Sequence, residues 1–233
     1  MTATEEEPWR PARWKGRSGW ALWHSMLLKD HCLVRWVVPN RHRVTPEAWR
    51  SGQPMPWDLA LFKRRGGRSV VNLRGETKFG TYVVTRRKAE ALGLAFHDHA
   101  LRSRDVPHRE ELVGLLELFE RIAYPALFYC KSGADRSGLV SALYLIAREK
   151  RPTAQARKAL GLRYLHFRHA KAGILGTLLE DFARWEAATG GDLRRYAEEA
   201  YDPDKLRAAR RPRRGPSPSP ACWPRRSPAR WRH

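Results

Sequence analysis

The residues of this chain best placed for chemistry are Cys130 and Arg136, six positions apart in the run Phe128-Tyr-Cys-Lys-Ser-Gly-Ala-Asp-Arg-Ser-Gly138. The cysteine closes a stretch of strand character and the arginine opens one of helical period. A loop leading from a strand into a helix N-terminus turns successive backbone N–H groups inward, and the helix dipole adds partial positive charge. An anion such as phosphate fits the resulting bowl. Lys131, Ser132, Gly133, Ala134, Asp135 and Arg136 would line it. The same field stabilises a thiolate at Cys130, below the free value of about 8.5, and so makes a nucleophile at neutral pH. The planar guanidinium of Arg136 can bind two phosphoryl oxygens at once and offset the charge that develops on them.

Spacing alone is a weak signal. In a chain with three cysteines and so much arginine, Cys-x5-Arg arises by chance in about half of comparable sequences. Cys32 and Cys222 illustrate the background, meeting Val38 and Pro228 six residues on. Gly133 within the loop, the hydroxyl of Ser137 and Gly138 after it make the full pattern rare. The ordinary alternative is an inert, buried cysteine before a helix.

Positioning such a loop needs a strand on one side and a helix on the other, and the surrounding pattern supplies both. Runs of β character at Ser69–Arg74, Leu94–His97 and Ala126–Tyr129 alternate with segments of helical period. The periodicity predicts helices at Pro56–Arg65, Tyr82–Leu92, Pro107–Ile122, Gly138–Lys150, Pro152–Leu160, Ala170–Ala188 and about Leu193–Ala200, with Pro107 and Pro152 at helix starts. The expected fold is α/β: a short, mainly parallel sheet flanked by helices, the Cys-x5-Arg loop between a strand and a helix, and a C-terminal helical cluster.

The whole chain, 233 residues, has room for one ordinary domain with tails. Hydrophobic residues at 42% suffice for a core, which excludes a wholly disordered chain. A net charge of +21 selects anionic partners such as phosphate esters, nucleic acid or acidic lipid heads, without naming a reaction. Three widely spaced cysteines give neither a disulfide framework nor a paired metal motif, and so point to a reducing compartment. With no secretory leader at the start and no apolar run long enough to span a bilayer, a cytoplasmic protein without a transmembrane segment is expected.

The ends differ from the middle. Residues 1–40 hold five of the ten tryptophans and read as a Trp-rich basic extension, packed on the domain or, in a sharper reading, lying at a membrane interface. Residues 203–233 carry seven prolines and ten Lys or Arg against one acid, Asp204. They read as a disordered basic tail able to contact polyanions without sequence preference. The domain proper is expected at 41–202.

Cys130, Arg136, Ser137 and Gly138 match, position by position, the signature of the cysteine-dependent protein tyrosine phosphatases, which this loop resembles. Trp49-Arg-Ser-Gly-Gln-Pro54 and Val70-Val-Asn-Leu-Arg-Gly-Glu76 are similar to segments of the bacterial atypical dual-specificity branch, so that the resemblance spans about residues 40–185. The residue before the cysteine, usually His in that family, is Tyr129. The resemblance implies a phosphatase for phosphotyrosine or other protein phosphates, or for a small phosphate ester. It implies a phosphocysteine on Cys130 that water then hydrolyses, with no metal or other cofactor, and a hydrogen bond from Ser137 to the departing sulfur. Inositol polyphosphate, a phospholipid headgroup or an RNA 5′ phosphate are alternative substrates. An inactive phosphate-binding module is a further reading.

The resemblance also requires an acid to protonate the leaving oxygen. Asp105 stands 25 residues before Cys130, where many relatives carry an acid on a mobile loop, and Asp135 lies inside the loop, as in some bacterial relatives. Asp135 is favoured, because the loop fixes its distance from phosphate. Each also has an ordinary role as a helix cap. Arg74 and Glu76 fall at a strand end beside the loop, as substrate contacts or an ion pair. His97 and His99 lack a third ligand of matching spacing, so no metal site is expected. The basic, aromatic run Arg163–Lys171 could line the pocket or bind a polyanion, with a packed helical corner and solvated charges as the default reading.

Overall fold

The computed structural model describes residues 19–25, 40–77, 79–166 and 171–210. Its strands are β1 (His42–Arg43), β2 (Ala48–Ser51), β3 (Ser69–Asn72), β4 (Ala95–Asp98) and β5 (Ala126–Tyr129). The helices are α1 (Gly19–His24), α2 (Pro56–Arg64), α3 (Gly80–Ala91), α4 (Arg109–Arg121), α5 (Arg136–Ala147), α6 (Thr153–Ala156), α7 (Ile174–Thr189), α8 (Leu193–Arg195) and α9 (Pro203–Arg210). A 3-10 turn at Arg157–Ala159 follows α6 and a π turn at Tyr196–Ala200 follows α8. The expected helices thus form, with ends displaced by a few residues.

The sheet runs in the order β1-β2-β5-β3-β4, parallel except for the antiparallel edge pair β1 and β2. β5 and β3 are buried at every position, as parallel strands covered on both faces must be. Alternation along them sorts two cores. Val71 and Phe128 face the larger one, with Leu115 and Phe119 of α4, Leu143 of α5 and Leu175 and Phe182 of α7. Val70, Leu127 and Tyr129 face the smaller one, with Leu59 and Phe62 of α2 and Ala89 of α3. Cys130 continues the alternation of β5 and joins the larger core.

β2 is absent from the hydrophobic pattern because its two interior positions nearest the site are Arg50 and Ser51, each only 1% exposed. Its register sets Ser51 beside Tyr129, which in turn pairs with Asn72 of β3. The carboxyl ends of β2, β5 and β3 are therefore level, and the segments that follow them meet at one edge of the sheet, the usual location of sites in parallel α/β folds. α5 leaves that edge through the middle of the molecule. It is buried on nearly every side, as its run of apolar residues from Leu139 to Ala147 requires.

One expectation about the ends changes. The chain stays folded beyond position 203: Pro203–Arg210 is helical, Leu206 is 4% exposed in the larger core, and Arg207 pairs with Asp105 at 2.9 Å. The basic composition hid this helix because one apolar side chain and one ion pair attach it. The tail expected over 203–233 is thus shortened, and its remainder, 211–233, lies outside the described residues. Of the N-terminal extension, α1 is described; it lies beside α3, where Ser25 Oγ accepts a hydrogen bond from the Gly80 N–H at 3.1 Å. Trp9, Trp14 and Trp36 lie outside the described residues. Among the described residues no helix is long and apolar enough to cross a membrane.

Docking of α9 through Leu206 gives a simple expectation. Leu206→Ala should destabilise the fold by about 2–3 kcal/mol, as for other buried leucines. A chain ending at Asp202 should melt several degrees below one ending at Arg210. Equal melting temperatures for the two truncations would refute the docking.

Candidate active site

The loop between β5 and α5 is shaped by where its carbonyls go. The Lys131 carbonyl accepts from the Gln53 N–H at 3.2 Å, and that of Ser132 from Asn40 Nδ2 at 3.0 Å. The carbonyls of Gly133 and Ala134 accept from Arg50 Nη2 at 2.7 and 3.0 Å. Four consecutive carbonyls are thereby drawn to the outside of the turn, which leaves the backbone N–H groups to its concave side. One of them, on Gly133, already points at Cys130 Sγ, 3.3 Å away. This is the shape that the strand-loop-helix pattern implies for an anion-binding bowl.

Arg50 is the centre of the outer shell. Besides the two loop carbonyls it binds the Ala159 carbonyl through Nη1 at 2.6 Å, and its guanidinium lies over the Tyr164 ring at 4.1 Å. Burial pulls its pKa down to about 10, opposed by the electrostatic influence of Cys130, Tyr164 and Asp135, so it stays cationic at neutral pH. Two glycines, one in the loop and one in the first turn of α5, fit this packing. Gly133 has φ +75°, and a Cβ there would lie 2.5 Å from the Gly52 nitrogen. A Cβ at Gly138 would lie 3.0 Å from Arg50 Nη2 and 2.8 Å from Leu160. The glycine after Arg136 and Ser137 thus makes room for the arginine that holds the loop.

Inside the bowl, Cys130 is 2% exposed, and its Sγ lies 3.6 Å from Ser137 Oγ. Burial raises a thiol's pKa, but Arg136, the hydrogen bonds from Ser137 and the Gly133 N–H outweigh it, and the Cys130 thiol is held below its ordinary value. Arg136 extends across the sheet edge to the carbonyls of Leu73 at 3.1 Å and Leu101 at 3.3 Å. Its Nε is buried with no partner among the described residues. The turn offering the Leu73 carbonyl is itself braced, since Asn72 binds the Gly75 carbonyl, Asp98 and the Arg74 N–H. Arg74 bonds to Gln53 and adds a second positive charge beside Arg136, lowering that guanidinium's pKa together with burial, the larger cause.

The candidate acids sit in different settings. Asp135 holds the N-cap position of α5, yet its carboxylate caps nothing; it meets His166 instead, with Oδ1 2.8 Å from Nδ1. Asp105 is paired with Arg207 at 2.9 Å and Arg102 at 3.3 Å and accepts from the Val106 N–H. Burial acts to raise Asp105, but the two arginines prevail and hold its carboxyl below the ordinary range. His99 is engaged with the Glu111 carbonyl at 2.9 Å, and among the described residues no three potential ligands gather around a metal site. The run Arg163–Lys171 supplies more than a solvated corner, since Tyr164 packs on Arg50 and His166 bonds Asp135 of the loop; residues 167–170 lie outside the described residues. Arg50, Asn40 and His166 are the site's unforeseen members, because their partners are 83, 92 and 31 positions away.

Removing Arg50 strands three buried carbonyls, each costing about 1–3 kcal/mol when unpaired. Arg50→Met should therefore destabilise the protein by about 3 kcal/mol or more and abolish binding of inorganic phosphate by the loop. Arg50→Lys should not restore either, because a single ammonium cannot replace the guanidinium fork. Thermal melts with and without phosphate measure both effects, and wild-type behaviour of Arg50→Met would disprove the assignment.

No protein-family model matches the sequence, and neither does any curated protein. Among solved structures, P. aeruginosa TpbA superposes with a TM-score of 0.50 at 19% identity, over 74% of this chain and 91% of that one. A DUF442 protein of Shewanella putrefaciens CN-32, named as a candidate phosphatase, gives a TM-score of 0.51 at 15% identity, over 62% of this chain and 93% of that one. Identities this low speak for the fold. The chain shares the fold of these proteins, a central mainly parallel sheet with the Cys130 loop at its carboxyl edge.

Proposed function

We propose that this chain is a cysteine-dependent phosphatase that hydrolyses phosphate monoesters, with phosphotyrosine or other protein phosphates as substrates. The observation that carries the reading is the Cys130 sulfur seated within the loop, 3.3 Å from the Gly133 nitrogen and 3.6 Å from Ser137 Oγ; the lowering of its pKa by the nearby Arg136 charge agrees with it. A phosphate dianion seated there would satisfy the Arg136 Nε–H and the loop amides together. The Cys130 thiolate attacks phosphorus, the P–O bond breaks, and Asp135 gives its proton to the departing oxygen, leaving a phosphocysteine and the alcohol or phenol. In the second step water attacks phosphorus and passes a proton to the Asp135 carboxylate. The P–S bond breaks, and inorganic phosphate and the thiolate are regenerated. Ser137, 3.6 Å from the sulfur, stabilises that thiolate as it leaves.

Asp135 is preferred to Asp105 as the acid. A general acid must carry a proton at working pH, and the Arg207 and Arg102 pairs favour the ionised form of Asp105. A second substrate class, a small polyphosphorylated molecule, draws on Arg74, whose charge lies close enough to bear on Arg136 and would meet a further phosphate. A reducing cytoplasm suits a mechanism that depends on a free thiol. No step asks for a metal.

The test is hydrolysis of p-nitrophenyl phosphate by the wild type and Cys130→Ser, with chelator and reductant present. Activity should fall by at least about 10³-fold in the variant. Equal rates, or none in either with the thiol shown to be reduced, would remove the mechanism and favour a phosphate-binding module. With phenyl phosphate, a poorer leaving group, Asp135→Asn should lower kcat/KM by about 10²-fold and Asp105→Asn by less than about threefold. The reverse order would exchange the two assignments.

A further inference from the structure

His166 is almost wholly buried, at 1% exposure, and among the described residues the side chain it bonds is that of Asp135, Nδ1 to Oδ1 at 2.8 Å. Neither partner is in its default role. An Asp at a helix N-cap ordinarily accepts from the backbone N–H two or three residues on, worth about 1 kcal/mol. Asp135 gives that up, since no side-chain cap bond forms at the start of α5. A core histidine ordinarily settles on a backbone carbonyl, as His99 does with Glu111.

The segment bearing His166 is fastened to the same frame as the loop bearing Asp135. It descends from the 3-10 turn Leu162–Tyr164, passes Leu165 at φ 62°, and is tied back by the His166 N–H to the Gly161 carbonyl at 3.3 Å. Tyr164 lies against Arg50, and its carbonyl accepts from Asn40 Nδ2 at 3.0 Å. Arg50 and Asn40 are also the side chains that hold the carbonyls of Ser132, Gly133 and Ala134. The ring and the carboxyl are thus referenced to one pair of anchors, and their separation is set by the loop's own scaffold. Arg50 and Arg136 also face Asp135 electrostatically, but neither forms a direct bond with it among the described residues.

We propose that His166 is a positioning residue for Asp135: its Nδ1–H holds Oδ1, fixes the rotation of the carboxyl, and leaves Oδ2 to carry the proton to the departing oxygen. The inference rests on Asp135 being the acid of the proposed reaction. When Oδ2 releases its proton to the leaving oxygen, the carboxylate formed is met at Oδ1 by an N–H already in place, so no group reorients during the step. The bond to the ring is charge-assisted only after proton transfer, which favours the transition state over the bound substrate.

The test compares kcat/KM for phenyl phosphate and p-nitrophenyl phosphate in the wild type, His166→Phe, His166→Gln, Asp135→Asn and the double variant Asp135→Asn/His166→Phe. Loss of positioning should lower the phenyl phosphate value about 10-fold and the p-nitrophenyl phosphate value less than about threefold, because a good leaving group needs little protonation. His166→Gln, which keeps an N–H donor, should recover most of the phenyl phosphate rate. The double variant should be no slower than Asp135→Asn alone, since His166 acts through that carboxyl. Equal losses on both substrates, or losses that multiply in the double variant, would overturn the proposal and leave His166 as packing. A leaving-group-independent effect of Asp135→Asn would instead overturn the acid assignment itself, and the role of His166 with it. Should His166→Phe fail to fold, His166→Gln and His166→Asn decide: a variant that retains the donor yet loses phenyl phosphate turnover as Asp135→Asn does counts against the proposal.

Discussion

A single buried guanidinium sets the shape of the site. Arg50 lies in the interior of a strand, where a charge is costly, and it is tolerated because it bonds three carbonyls and an aromatic face. Two of those carbonyls belong to Gly133 and Ala134, and drawing them outward is what turns the loop's N–H groups toward the sulfur. Gly138 is required because Arg50 passes over the first turn of α5, and Gly133 because its left-handed backbone runs against Gly52. The signature Cys-x5-Arg-Ser-Gly thus encodes half of a structure whose other half is Arg50, 83 positions from its nearest loop carbonyl.

The chemistry of Cys130 follows from a contest of opposing effects. Burial alone would keep the thiol protonated, and an inert cysteine in the larger core would be the outcome. The Arg136 charge and the donors on Ser137 and Gly133 reverse that sign. The same groups that favour a thiolate would favour an anion such as phosphate in the same space, so sulfur and a bound anion would share one positive field. Arg136 eases the conflict by reaching past the sulfur to the Leu73 and Leu101 carbonyls while keeping its Nε–H uncommitted among the described residues.

Local pattern made the β5-loop-α5 unit legible, together with the helical cluster after it, because each depends on residues close in sequence: a hydrophobic strand, a glycine loop, an apolar helix. β2 was not legible as a strand, since its inward positions are Arg50 and Ser51, and a pattern reader sees polar residues where hydrophobic ones belong. Its segment was singled out only by resemblance, without a role for the arginine. α9 differs for the opposite reason: its composition resembles a tail, while Leu206 packs in the core and Arg207 pairs with Asp105 and bonds the Val106 carbonyl. His166 lies inside a basic and aromatic run, but no periodicity reveals that one of the four histidines from position 97 to 166 turns toward Asp135 rather than a backbone carbonyl or solvent.

The helix cap that Asp135 declines is informative about how the site divides its electrostatics. A carboxylate bonded to the first turn of α5 would place negative charge at the helix N-terminus and weaken the field that draws phosphate and thiolate. Turned toward His166, the carboxyl leaves the α5 amides to the bowl and takes its own hydrogen bond from outside it. The cost of an uncapped helix, about 1 kcal/mol, is small beside what a preorganised anion hole can contribute to a charged transition state. α5 meets that cost through packing, since it is buried along nearly its whole length and does not depend on its cap to remain helical. A helix less deeply buried would need the cap, and its first turn would then be worth less to an anion.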